Sequence, residues 1–390
     1  MIEREKLPDH WEVVPLRRIL RKLARPLCSH FGVVTAYRDG VVTLRSSRRA
    51  EGYTVSDTES GYQGVEHGDL VFHALDGFAG AVGVSDASGK CTPVYHVCEA
   101  PHGDDLRFVA QVLRAMGSSG FLALQSGTVR QRSVDFRTWD ALGRIAFPRP
   151  PREEQRALVE FLDRETNRID AVVKRKRTLV SLLDERRIAA TDALILGEKA
   201  STRPVAALAN YVNGWAFKPD DFTPSGLPVV RISQLTDDQA AVDLYDGDLP
   251  DSVRLRDGDL VFSWSASLEV RVWNRGPAFL NQHLFRVVPA NGIDNAWLRF
   301  ALDAATRQFV GLMQGSAMTH ITQPMMKLVR LPVPSPRRQR YVAEKLRSES
   351  DRVEQTVERL KRQISLLDEH RQAFVMFAVT GQLDLTKSVA

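Results

Sequence analysis

The sequence predicts an α/β protein built from two diverged copies of one domain. Each copy is followed by a long α-helix, and the two helices pair as an antiparallel coiled coil. Three observations carry this prediction. One is a gapless internal repeat. Another is a long stretch free of proline and glycine inside each copy of that repeat. The third is a short apolar motif that recurs in the regions between.

The repeat sets the frame. Displaced by 184 residues, Pro148–Gly197 falls on Pro332–Gly381 with 18 identities in 50 positions and no gap. Ser181-Leu182-Leu183-Asp184-Glu185 falls on an identical Ser365-Leu366-Leu367-Asp368-Glu369, and Gln155-Arg156 on Gln339-Arg340. Loops tolerate insertions, so a gapless repeat of this length implies a continuous element. Prolines precede each copy, where a helix start accepts them. No proline or glycine occurs from Gln155 to Leu196 or from Gln339 to Thr380, and each copy ends at a glycine. About 42 residues at about 1.5 Å each give a helix of roughly 60 Å.

A seven-residue apolar period gives these helices a seam. In the second copy the series is Leu346, Val353, Leu360, Leu367 and Phe374. In the first it is Leu162, Ile169 and Leu183, with Lys176 interrupting. Two matched helices on one chain satisfy each other most economically by packing together. The expected map is a first domain over 1–150, a helical spacer over 151–200, a second domain over 201–335 and a second helical spacer over 336–390.

The intervening regions read as α/β. Gly68-Asp69-Leu70-Val71-Phe72 recurs as Gly258-Asp259-Leu260-Val261-Phe262, apolar runs beside turn residues that predict strands. Val41–Leu44 reads the same way. Phe108–Met116 and Ala296–Leu312 carry apolar residues at helical spacing. His67 with Asp69, and Asp246 with Asp248, flank glycines and read as turn chemistry.

Composition narrows the function. The net charge of +5 suits a polyanionic partner. The three cysteines, Cys28, Cys91 and Cys98, form no Cys-x-x-Cys pair, which argues against a disulfide framework or a zinc site and for a reducing compartment. The charged start Met1–Lys6 lacks a following apolar segment, and no apolar run is long enough to span a membrane. A cytoplasmic protein is expected. Phosphate-binding loops, dinucleotide fingerprints, His-Glu-x-x-His and nucleophile elbows are all missing from the sequence. No catalytic or metal-ligating set is therefore assigned, and no cofactor is expected on this chain.

Polar, basic and aromatic side chains gather in segments that read as loops. In the first domain the candidates are Arg45, Arg48, Arg49, His73, Arg130 and Arg132. In the second they are Lys218, Trp264, Arg271, Gln282, His283, Met318, Thr319 and His320. Such residues bond base edges and hold phosphates, so the set points to a nucleic-acid face. A coiled-coil adaptor and a stand-alone DNA-modifying enzyme are the competing readings.

With these residues in view, the chain resembles the specificity subunit of type I restriction–modification systems. The motifs are the proline-rich segments Pro148–Gln155 and Pro332–Gln339, the Ser-Leu-Leu-Asp-Glu stretches, Gly214–Pro219 followed by Gly226–Ile232, Tyr62–Val71, and Gly315–Ile321. The resemblance implies two target recognition domains, each reading one half of a split double-stranded DNA target. It implies that the helices set the gap and dock two methyltransferase subunits, which would hold S-adenosylmethionine. A motor-nuclease subunit would join for cleavage. Two departures stand out. Arg338 precedes Gln339 where the family commonly has Glu, which predicts a local docking difference. The first domain lacks the Gly214–Phe217 opening, which predicts a different half-site.

Overall fold

A computed structural model describes residues 7–27, 32–48, 60–125, 135–237, 239–265, 267–313 and 320–383. The chain divides into two compact units, Met1–Arg175 with Arg362–Ala390, and Lys176–Lys361. Each unit therefore holds one domain and part of each long helix.

In the first unit, strand Glu12–Pro15 pairs antiparallel with Ala146–Arg149 and delivers the chain to the first long helix, Arg152–Leu196. The main sheet has the order Arg21–Lys22, Tyr95–Glu99, Leu70–His73, Val82–Val84. Strand side chains alternate between faces. Leu70 and Phe72 enter a core with helix Leu106–Ser118, while Val71 enters a second core with Val34, Val65 and Val97. Burial on both faces explains the unbroken apolar run. Cys91 and Cys98 are buried free thiols, and burial pushes the Cys91 pKa up to about 12.

The second unit repeats the plan. Thr202–Pro204 pairs with Arg330–Pro332 and delivers the chain to the second long helix, Pro336–Val379. The sheet order is Ala209–Asn213, Leu284–Pro289, Leu260–Ser263, Val270–Val272. Leu260 and Phe262 face helix Asn295–Met313, and Val261 faces the opposite core. The turn before this strand also repeats. Asp69 accepts the Glu66 N–H and Asp259 the Arg256 N–H, both at 2.8 Å, across left-handed Gly68 and Gly258. Asp69 additionally pairs with Arg25.

Both long helices contribute to both units. Leu158, Val159 and Leu162 from the first, and Ala378 and Val379 from the second, lie in the core with Trp11 and Phe108. Ile195 from the first, and Val342, Ala343 and Leu346 from the second, lie in the core with Trp297. Within each unit the helices run in opposite directions. Phe161 packs on Phe374 at 5.5 Å between centroids in one, and Arg186 faces Glu349 at 3.8 Å in the other. Of the heptad residues, Leu162, Leu346, Val353 and Leu360 are buried, while Ile169, Leu183 and Leu367 are half-buried.

A buried glutamine fastens each helix start. Gln155 Oε1 accepts the Asp105 N–H at 2.8 Å, and its Nε2 donates to Pro150 O and to Asp104 Oδ1 at 2.9 and 3.0 Å. Gln339 Oε1 accepts the Asp294 N–H at 2.7 Å, and its Nε2 donates to Pro334 O and Gly292 O at 2.8 and 3.1 Å. Asp105 and Asp294 in turn cap the domain helices. The sequence singled out Gln155 and Gln339 only as repeat identities.

Asp104 has no counterpart, because Ile293 stands at its place. Its carboxylate is buried against Arg149, with bonds of 2.8 and 3.0 Å. Burial alone would raise its pKa, but the Arg149 and Gln155 hydrogen bonds outweigh it and hold the carboxyl below its ordinary 3.8. The ionised form therefore stabilises the first unit fully above about pH 5, and that contribution fades as pH falls through the lowered pKa. We predict that acid unfolding probed in the first unit shifts less with pH in Asp104→Asn than in the parent chain. Identical pH profiles would contradict this.

Candidate nucleic-acid interface

One edge of the second domain gathers four of the predicted residues. Strands Leu260–Ser263 and Leu284–Pro289 pair so that Ser263 stands opposite Leu284. Trp264 leaves the first strand and His283 enters the second, so the pairing brings them together. The Trp264 indole N–H donates to Gln282 O at 3.2 Å. Its ring lies 5.8 Å from that of His283 and 6.0 Å from that of His320. His320 reaches this edge through a bridge to Ser265, whose Oγ is 3.3 Å from His283 Nδ1. Gln282, His283 and His320 are exposed.

Trp215 completes the cluster, and the sequence did not single it out as a site residue. Its N–H donates to Leu280 O at 2.7 Å, its carbonyl accepts the Gln282 N–H at 2.8 Å, and the residue is 43% exposed. The preceding Gly214 makes this possible. A Cβ there would collide with the backbone oxygens of Leu280 and Asn281. The signal was the Gly-Trp pair itself, a residue without a side chain beside a large exposed ring.

Other candidates in this domain are placed elsewhere. The Arg271 guanidinium donates to Leu235 O at 3.3 Å and pairs with Glu269 at 3.1 Å. Exposed Lys218 heads a short turn in which its N–H donates to Asp221 at 2.7 Å. Met318 and Thr319 lie outside the described residues, as do Arg49, Arg130 and Arg132.

The first domain presents different chemistry at the equivalent strand end. His73 stands opposite Tyr95, with rings 4.7 Å apart and edge to face. Its Nδ1 accepts the Leu75 and Asp76 N–H groups at 3.2 and 3.0 Å, which assigns the proton to Nε2. Burial lowers the His73 pKa, favouring that neutral donor. Arg45 is half-buried at 3.4 Å from Thr35 Oγ1. Arg48 bonds Asp39 and lies 4.4 Å over the Tyr37 ring, and the Arg48 hydrogen bond lowers the Asp39 pKa. Arg48 is thus committed within the chain, not simply solvated.

These groups can donate to and accept from base edges, and the Trp215 face can meet a flat apolar surface. Among the described residues, no group of three or more His, Cys, Asp or Glu could hold a metal ion. No described helix is long and apolar enough to cross a membrane.

Comparison with known proteins bears on the same half of the chain. A family model described as "Type I restriction modification DNA specificity domain" matches residues 200–365. That match takes in the second domain and the first part of the second long helix. The chain is also 27% identical over 180 residues to the type I restriction enzyme EcoBI specificity subunit of Escherichia coli. That match takes in 45% of this chain and 38% of the relative, well under two thirds of the relative's length.

The fold extends the likeness to the whole chain. A chain from a study of complex assembly and conformational transition in the type I R-M system superposes with a TM-score of 0.75 at 15% identity, covering 97% of this chain and 99% of that one. The HsdS subunit of Thermoanaerobacter tengcongensis gives 0.54 at 17% identity, over 97% and 98%. The two-domain, two-helix architecture is therefore a fold shared with these two chains. The resemblance drawn from the sequence motifs holds.

Gly214→Ala tests the geometry of the cluster. The added methyl group forces the Leu280–Asn281 backbone away, which should destabilise the chain by about 1–3 kcal/mol. Thermal melting of the intact variant reads this. An unchanged melting temperature would show that the close approach is not needed.

Proposed function

We propose that this chain is the DNA sequence-specificity subunit of a type I restriction–modification complex. Each domain reads one half of a bipartite duplex target. The observation that carries this reading is a shared scaffold with unlike chemistry at one place. Both domains have the same sheet order, the same Asp-capped turn and the same glutamine-fastened helix. At the equivalent strand end, the first domain has half-buried His73 set edge-on to the buried Tyr95 ring, and the second has Trp264, Gln282, His283 and His320. A scaffold duplicated to read two different half-sites needs this pattern.

The paired helices set the number of unread base pairs and dock two methyltransferase subunits. Those partners hold S-adenosylmethionine and carry the chemistry, and a motor-nuclease subunit joins for cleavage. This chain is non-catalytic and works in the cytoplasm. The DNA specificity family of residues 200–365 favours this reading over an adaptor or a self-sufficient enzyme.

The test is to purify the chain with a type I methyltransferase subunit and map methylated adenines on random-sequence DNA. The expected result is two short motifs at a fixed separation. Trp264→Ala and His320→Ala should relax one motif only, by about 1–3 kcal/mol per lost base contact, or roughly 5- to 150-fold. One continuous motif, or equal loss at both, would refute modular readout.

A further inference from the structure

The first unit contains a cavity of about 310 Å³ that none of the preceding chemistry uses. Its walls come from the turns at Arg38–Asp39 and Phe78–Gly80, from helix Leu106–Ser118, from Thr166 of the first long helix and from Arg371–Val375 of the second. Three arginines line it: Arg38, Arg114 and Arg371. Gln111 adds amide groups and Phe78 an apolar wall.

The charges are poorly balanced. Arg38 bonds Asp76 at 2.9 Å, and Arg371 faces Asp170 at 3.3 Å. Arg114 has no hydrogen-bonded carboxylate among the described residues. Its guanidinium is pinned under left-handed Gly40, where any Cβ would strike it. Burial first, and then the Arg371 charge, makes it a weaker base than an ordinary arginine, and the nearby Asp39 charge only partly offsets them. The lining carboxylate, Asp39, is held by Arg48. Two half-buried guanidinium groups lining one cavity repel each other, and an anion between them relieves that repulsion.

The second domain supplies an internal control. The two domain helices align through their caps, Asp105 on Asp294, so Arg114 corresponds to Asp303. Along the repeat, Arg371 corresponds to Arg187. The same scaffold thus carries opposite charges in one domain and like charges in the other.

We propose that this cavity is a binding site for a phosphate group. Arginine forks match phosphate oxygens in geometry and charge. The volume admits a small phosphorylated compound beside Phe78. The same chemistry could be presented by a backbone phosphate of bound DNA. Occupancy would tie the domain helix to the end of the second long helix through one shared anion.

The experiment uses the full chain with pyrophosphate as probe, at constant ionic strength against chloride. Pyrophosphate should raise the melting temperature of the parent chain in a saturable way. Arg114→Gln and the exposed-side variant Arg38→Gln should each weaken apparent binding about tenfold or more. Arg114→Asp, which copies the charge of the second domain, should abolish the response. Arg38→Gln keeps the test readable if substitution at Arg114 prevents folding. A duplex without a target separates the sources. If the phosphate is DNA's own, Arg114→Gln weakens duplex binding irrespective of sequence, lowers the salt dependence by about one phosphate contact, and pyrophosphate competes with the duplex. If it belongs to a small molecule, duplex affinity is unchanged while the pyrophosphate response is lost. Overturning the proposal requires that every folded variant match the parent chain in both pyrophosphate response and duplex affinity.

Discussion

Each domain buries apolar side chains from both long helices, and this is the constraint on which the other features rest. A domain of this size can close a core around its own sheet and helix. Here Leu162 and Val379 share one core, and Ile195 and Leu346 share another. Neither helix could be removed without opening apolar surface in both units. Gln155 and Gln339 add direction to this burial. A buried amide satisfied by three partners fixes the rotation and the start of each helix, because an unmade bond there costs about 1–3 kcal/mol. The heptad seam then continues a register already set at each helix start.

Duplication on such a frame separates stability from recognition. The buried strand Leu70–Phe72 and its twin Leu260–Phe262 keep the same residues because both faces of each strand are covered. Beyond the last paired residues, His73 with Tyr95 and Ser263 with Leu284, side chains leave the core and can differ freely. Different recognition surfaces are then compatible with one scaffold. The Asp104–Arg149 pair and the arginine cavity show that the copies have also diverged inside the first unit, where Ile293 and Asp303 take the corresponding places in the second.

The long elements were legible from sequence because they obey local rules. A 3.5-residue period, flanking prolines and terminal glycines fix a helix without reference to the rest of the chain. The strand motif was legible because a turn aspartate and glycine precede it. The site was legible only in part. Trp264, His283 and His320 meet because strand pairing and a bridge to Ser265 bring separate segments together, and residue type alone carries no such information. Trp215 was passed over because its exposure depends on what Gly214 lets the backbone approach. Arg48 and Arg271 read as free base readers, but each meets an acceptor folded against it, Asp39 in one case and Leu235 O in the other. Arg114 was hidden in a helix whose apolar spacing drew attention to its buried neighbours.

Truncating the chain after Lys361 tests the shared construction most directly. It removes Ala378 and Val379 from the first unit and leaves the residues of the second unit in place. Amide hydrogen exchange, followed residue by residue, reads the two units separately. Helix Leu106–Ser118 and strand Leu70–His73 should lose protection, while helix Asn295–Met313 and strand Leu260–Ser263 should keep theirs. Equal protection of the first unit with and without residues 362–390 would contradict it.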